Sequence, residues 1–145
     1  GTYDITSQIE GFDEIQAGSY VFMDATYRKV EGPGSVFEPA IFLWSTIISR
    51  PAPDRAVADI GLKTATPELG LPEAADVAGV TVLGLSEEHA RLRLEGEARS
   101  LRPGDKLRFL PGHVCTTVNL HDRYIVARDG MVEAIWPVAA RGRSQ

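Results

Sequence analysis

Ala90-Arg91-Leu92-Arg93-Leu94-Glu95 alternates apolar and charged residues without a break, and this period of two restricts the stretch to a strand with one buried and one wetted face. Lys106-Leu107-Arg108-Phe109-Leu110 repeats the pattern after an Arg102-Pro103-Gly104-Asp105 turn, and Val80–Leu85 reads as a further strand before the Ser86–His89 interruption. Upstream, Phe37–Ser49 contains the run Ala40–Ser49. Its β-branched and aromatic residues favour a buried strand, which Pro51 and Pro53 end. Arg55–Gly61 is a shorter strand, and Gly18–Asp24 reads as another, opened by its glycine. Tyr124–Ala127 and Met131–Ala140 flank Asp129-Gly130, a strong hairpin dipeptide. Glu31–Ser35 is a loop, and Leu62–Gly79 is a long irregular one with a single helical turn expected over Pro72–Val77. Gly1–Gln16 is a lead-in strand or linker, and Arg141–Gln145 a frayed tail. Roughly nine short strands, little helix and no βαβ alternation predict a mainly β fold, a closed or nearly closed β-barrel or sandwich.

With 145 residues, 43% of them hydrophobic and 24% charged, the chain suits one soluble domain with a real core. A net charge of −5 gives no basic field for nucleic acid or an anionic membrane, and the scattered arginines read as solvated faces. The longest apolar run, Ala40–Trp44, is too short to span a bilayer. A single cysteine excludes an internal disulfide framework and fits a reducing cytoplasm. The chain opens on Gly1-Thr2-Tyr3 without methionine or signal peptide, as expected of the tail of a longer protein.

That cysteine lies in Pro111-Gly112-His113-Val114-Cys115-Thr116-Thr117-Val118-Asn119, two residues after one of three histidines. The β-branched content predicts extended backbone, which would turn the imidazole of His113 and the thiol of Cys115 to one side. A nitrogen beside a soft sulfur is half of a zinc site. One cysteine cannot complete a closed structural site, so positions would stay open for water or substrate. The plain alternative is a hydrogen-bonded histidine and a small thiol. Of three lysines, Lys29 and Lys106 read as solvated, while Lys63 stands where a strand gives way to the irregular loop, at a possible active-site rim. Glu87-Glu88-His89 reads as a wet turn tip, and His121-Asp122 as a turn pair or an orienter of the ligands. No Walker loop, dinucleotide fingerprint or GxSxG elbow is present.

Pro111-Gly112-His113-Val114-Cys115 followed by Thr117-Val118-Asn119-Leu120 resembles the metal-binding segment of D-threonine aldolases and eukaryotic-type D-serine dehydratases. The likeness extends, in the family's order, to Gly18–Asp24, Asp59-x-Gly61-x-Lys63, Ser86–His89, Pro103-Gly104-Asp105 and Trp136-x-Val138-x-Ala140-Arg141-Gly142. The resemblance implies an alanine racemase-like enzyme. In such enzymes an N-terminal (β/α)8 barrel of about 250 residues carries pyridoxal phosphate on a lysine; residues 1–145 would be the C-terminal β-domain alone, with that barrel absent from this chain. It further implies that His113 and Cys115 bind zinc or another divalent metal, which acts on the β-hydroxyl of a D-amino acid substrate. The full enzyme is expected to be a homodimer, and this chain by itself inactive. Cysteine at position 115 is the dehydratase choice, where aldolases often carry aspartate. Gly112 departs from a frequent asparagine, a change expected to alter the local turn and not the ligands. Asp59 and Lys63 recur in the family, and the resemblance puts them at a substrate or cofactor rim. Two other readings are a freestanding β-barrel binding or assembly module without catalysis, and part of an amino-acid racemase.

Overall fold

The computed structural model describes residues 2–143; Gly1, Ser144 and Gln145, the outer ends of the expected lead-in and tail, lie outside the described residues. In chain order the elements are α1 (Tyr3–Thr6), α2 (Pro33–Val36), β1 (Leu43–Ala52), β2 (Arg55–Ala58), β3 (Glu73–Ala74), β4 (Val80–Leu85), β5 (Ala90–Leu94), β6 (Lys106–Leu110), α3 (Val114–Val118), β7 (Arg123–Arg128) and β8 (Met131–Pro137). Short 3₁₀ turns lie at Ser19–Val21, Tyr27–Lys29 and Gly96–Ser100. The fold is mainly β and 16% helical, as expected.

Six strands pair antiparallel in the order β3-β6-β1-β2-β5-β4 and curl into a nearly closed barrel. Its end strands, β3 and β4, pack side by side without hydrogen-bonded pairing, which leaves one unsealed seam. The alternation in the sequence sets the inward face. Ala90, Leu92 and Leu94 of β5 are buried while Arg91 and Arg93 face water, and Leu107 and Phe109 of β6 meet Ile47, Ala58 and Ile60 in the core. Strands β7 and β8 form a separate two-stranded hairpin, turned by Asp129 (φ 49°) and Gly130 (φ 77°) as the dipeptide requires. No helix among the described residues is long and apolar enough to cross a membrane.

Several local expectations are corrected. β1 starts at Leu43, not Phe37, because Pro39 cannot donate to a ladder and the Ala40 N–H is engaged by the Phe22 carbonyl (2.9 Å). β1 also passes through Pro51. Its β6 partner covers only Leu43–Thr46, so the missing donor breaks no pairing on that side. The helical turn expected over Pro72–Val77 is absent. Glu73 and Ala74 instead pair with Leu110 and Phe109, and the Ala75 N–H continues onto the Arg108 carbonyl. Gly18–Asp24 is not a strand: Ser19–Val21 form a 3₁₀ turn, and Met23, fully buried, takes a left-handed φ of 54° that ends any extended run. The tail is tied down as far as Gly142. Arg141 pairs with Asp122 and bonds the Asn119 carbonyl, and the Gly142 N–H donates to Asn119 Oδ1. Arg50 is no solvated arginine either; its guanidinium serves the carbonyls of Pro53, Arg99 and Leu101.

Outside the barrel Asp76 receives the Arg108 guanidinium through Nε (2.8 Å) and Nη2 (2.6 Å) and the Arg108 N–H at 2.8 Å. The Arg108 side-chain hydrogen bonds hold its carboxyl below the usual carboxylate value against a smaller opposing effect of burial. A depressed folded-state value makes the contribution complete above the unfolded value and lost as pH falls through the folded one. Asp76→Asn is therefore expected to lower stability near neutrality by no more than about 1 kcal/mol, because the pair is partly exposed. Denaturant titrations of both proteins should converge as the pH falls below about 4.

Candidate functional site

The segment carrying the histidine and the cysteine turns helical. His113 is extended (φ −136°, ψ 121°), and α3 begins at the next residue, so the predicted single strand over this stretch is wrong. β-branched residues resist helix only weakly, and tertiary hydrogen bonds decide the outcome here. The His113 side chain does not cap the helix. Asp24, fully buried and distant in sequence, does so instead: its Oδ2 accepts the Val114 N–H at 2.9 Å. Its Oδ1 takes the N–H groups of Thr26 (3.0 Å) and Tyr27 (2.7 Å). The Ala25 N–H donates to the Pro111 carbonyl, and the Thr26 hydroxyl lies within reach of the Gly112 (2.8 Å) and Leu69 (3.0 Å) carbonyls. Residues 24–27 and 111–114 are thereby stitched into one unit.

The other flank is held by the irregular loop. Thr66 Oγ1 meets Thr116 Oγ1 at 2.6 Å, and the Thr66 N–H donates to Thr117 Oγ1 at 3.3 Å, which satisfies a buried hydroxyl. His121 Nε2 donates to the Thr64 carbonyl at 2.8 Å, while Asp122 pairs with Arg141, so both members of that pair serve as struts. Gly112 touches the loop most closely. A Cβ there would sit 2.0 Å from the Gly70 carbonyl oxygen, so only glycine lets the two backbones approach in this way.

The two candidate ligands sit at the start of α3. The His113 ring is largely covered, and its Nδ1 is buried without a hydrogen-bond partner. Glu68 Oε1 lies 3.3 Å from that nitrogen, within ion-pair reach but outside hydrogen-bond alignment. Cys115 is exposed, with the Ser19 hydroxyl 3.3 Å from its Sγ. Among the described residues no group of three or more His, Cys, Asp or Glu side chains is placed to share an ion. The donor set, one imidazole and one thiol, fits an open site for a borderline-soft metal such as zinc, not a closed structural one.

Asp59 and Lys63 occupy a different place. Asp59 Oδ1 accepts the Ser45 hydroxyl (2.8 Å) and the Thr46 N–H (2.5 Å). Burial pushes its carboxyl up, but these hydrogen bonds outweigh that and leave it lowered. Gly61 packs directly on the Glu87–Glu88 backbone, the Leu62 and Lys63 N–H groups bind the Ser86 and Glu87 carbonyls (both 2.9 Å), and Lys63 Nζ pairs with Glu88 at 2.8 Å. The Glu88 hydrogen bond raises the lysine, and Lys63 lowers Glu88 in turn. The Asp59-x-Gly61-x-Lys63 motif thus clasps the Ser86–His89 turn, and no hydrogen bond or ion pair recorded among the described residues links it to His113 or Cys115. A cleft of about 500 Å³ lined by Thr26, Leu69, Glu73, Val82 and Gly112 holds none of these four residues.

The sequence reading gives no site role to Asp24, Thr66, Glu68 or Ser19, although Ser19 and Asp24 lie in the Gly18–Asp24 segment that carries the resemblance. Of these only Asp24 carries a local signal, an Asp-x-Thr-Tyr turn pattern in which the carboxylate binds backbone two and three residues on.

Together these features define a class: a nearly closed β-domain that presents an imidazole and a thiol two residues apart at the head of a short, externally capped helix. A family model described as "Putative serine dehydratase domain" matches residues 40–127, and the chain belongs to that family. The D-threonine aldolase of an Arthrobacter species is 44% identical over 92% of this chain and 36% of its own length. The 3-hydroxy-D-aspartate aldolase of Paracoccus denitrificans is 38% identical over 99% of this chain and 38% of its own. The crystal structure of the D-threonine aldolase from Filomicrobium marinum superposes with a TM-score of 0.90 at 38% identity, covering 98% of this chain and 39% of that one. The chain thus spans less than two-fifths of the length of these relatives.

Proposed function

We propose that this chain is the metal-bearing C-terminal domain of a pyridoxal-phosphate-dependent lyase acting on β-hydroxy-D-amino acids. The observation that carries the reading is the His113–Cys115 pair at the head of α3, with its exposed thiol and its buried, unpartnered imidazole nitrogen, in a chain whose relatives are named for such substrates. His113 and Cys115 would hold the ion. Asp24 and Thr66 fix the helix that carries them, and Ser19 can donate a hydrogen bond to the Cys115 sulfur as thiolate. Bound there, a divalent metal supplies Lewis acidity to a substrate hydroxyl, and pyridoxal phosphate on an N-terminal barrel of the same polypeptide supplies an electron sink. Asp59 and Lys63, held at the Ser86–His89 turn, would stand at a substrate or cofactor rim and not among the metal ligands. The whole enzyme would be a homodimer, with the present chain inactive alone.

The names of the relatives favour aldol cleavage. The thiol at 115 and the name of the family model favour β-elimination as a second reading. D-threonine separates them when offered to the full-length protein: cleavage yields glycine and acetaldehyde, elimination 2-oxobutanoate and ammonia. The metal reading is tested on the purified chain. Zinc added before desalting is expected to be retained near stoichiometry by the wild type, and to be lost in His113→Ala and Cys115→Ala. Retention by both variants would place the metal elsewhere and remove the basis of the assignment.

A further inference from the structure

His113 Nδ1 sets a problem that the rest of the site does not solve. It is a buried polar atom without a hydrogen-bond partner, in a ring whose exposed surface therefore lies on other atoms. Leaving such a group unpaired forfeits the hydrogen bond it had to water and is destabilising. The nearest acceptor is Glu68 Oε1, 3.3 Å away and misaligned, on a side chain about half exposed. Its neighbourhood in the loop is anchored on both sides of it, by Thr66 against α3 and by the Leu69 carbonyl, which accepts the Thr26 hydroxyl. Only the glutamate side chain then has to turn for the hydrogen bond to close.

We infer that Glu68 is the positioning residue of His113: it accepts the Nδ1–H of the neutral imidazole, which fixes the ring's rotation and leaves the Nε2 lone pair free to bind metal. The inference rests on the reading of His113 as a ligand only for its second half; the tautomer follows from the contact itself. A neutral imidazole carries one proton, and whichever nitrogen holds it cannot coordinate. A carboxylate on Nδ1–H both selects the tautomer and makes the other nitrogen a better donor, and loss of such a partner typically lowers metal affinity about 10–100-fold. Glu68 leaves no mark in the sequence, where it is one carboxylate in an irregular stretch between Pro67 and Leu69.

Two measurements test this on the purified protein above the histidine titration range. Long-range proton–nitrogen correlation spectra of metal-free protein are expected to show His113 with its proton on Nδ1, and Glu68→Ala to shift it toward Nε2. Zinc affinity, measured by competition with a chromogenic chelator, should fall about 10–100-fold in Glu68→Ala and be partly restored in Glu68→Gln, whose amide oxygen can still accept. Unchanged amide spectra away from the loop would show that both variants fold. A wild-type His113 protonated on Nε2, or a tautomer indifferent to Glu68→Ala, would overturn the inference. A Glu68-dependent Nδ1–H tautomer in a protein that binds no zinc would uphold the positioning contact and overturn the metal reading alone.

Discussion

Asp24→Ala is expected to cost about 3 kcal/mol of stability, lowering the melting temperature by about 10 °C in a domain of this size. The carboxylate is fully buried and accepts three backbone N–H groups, those of Thr26, Tyr27 and Val114. Alanine leaves all three without their acceptor, and the Val114 donor is buried beyond the reach of water. Asp24→Asn separates the two jobs. An asparagine can keep its carbonyl oxygen on Thr26 and Tyr27 but must point its NH₂ at the Val114 N–H. It is expected to cost about 1–2 kcal/mol, the ordinary value of a lost helix cap. Thermal unfolding gives the totals, and amide exchange should show faster opening at Val114 with Thr26 protected. An Asp24→Asn protein as stable as the wild type, with Val114 exchanging no faster, would mean that the carboxylate does not cap α3.

Gly112→Asn is expected to be nearly as damaging, although asparagine is the residue the family resemblance would put there. The obstacle begins at the first side-chain carbon, 2.0 Å from the Gly70 oxygen and 2.6 Å from its carbonyl carbon, and both are backbone atoms that cannot rotate away. Overpacking of this kind costs about 1–3 kcal/mol, and the upper end is expected because the 66–70 loop is held to α3 and to Thr26. Gly112→Ala should therefore lose as much as Gly112→Asn in chemical denaturation. If asparagine is tolerated where alanine is not, the amide has found a partner in a rearranged loop, and the close approach of Gly112 to Gly70 is not what stabilises this segment.

The barrel was legible because its strands obey one strong rule. β5 and β6 alternate along their length and end at turns, so Leu92, Leu94, Leu107 and Phe109 announce their burial locally. The Asp129-Gly130 hairpin was equally plain, since few other dipeptides accept two left-handed residues in succession. What failed did so where distant groups overrule local preference. Val114, Thr116, Thr117 and Val118 read as extended, yet the Asp24 and Thr66 contacts make them a helix. Met23 gives no sign of its left-handed backbone. The candidate ligands were visible as the lone cysteine and its neighbouring histidine. Their supports were not, because a hydrogen bond between positions 24 and 114 leaves no period or spacing to read.

The contacts that seat α3 join residues 50 to 96 positions apart along the chain. Loops of that span close slowly and gain nothing until the intervening strands are in register. The histidine and cysteine can therefore reach their final setting only late in folding, after the barrel that separates their supports has formed. An ion that needs that setting would have little hold on the unfolded chain. Its binding energy would then appear almost entirely as added stability of the native state, growing with free metal concentration.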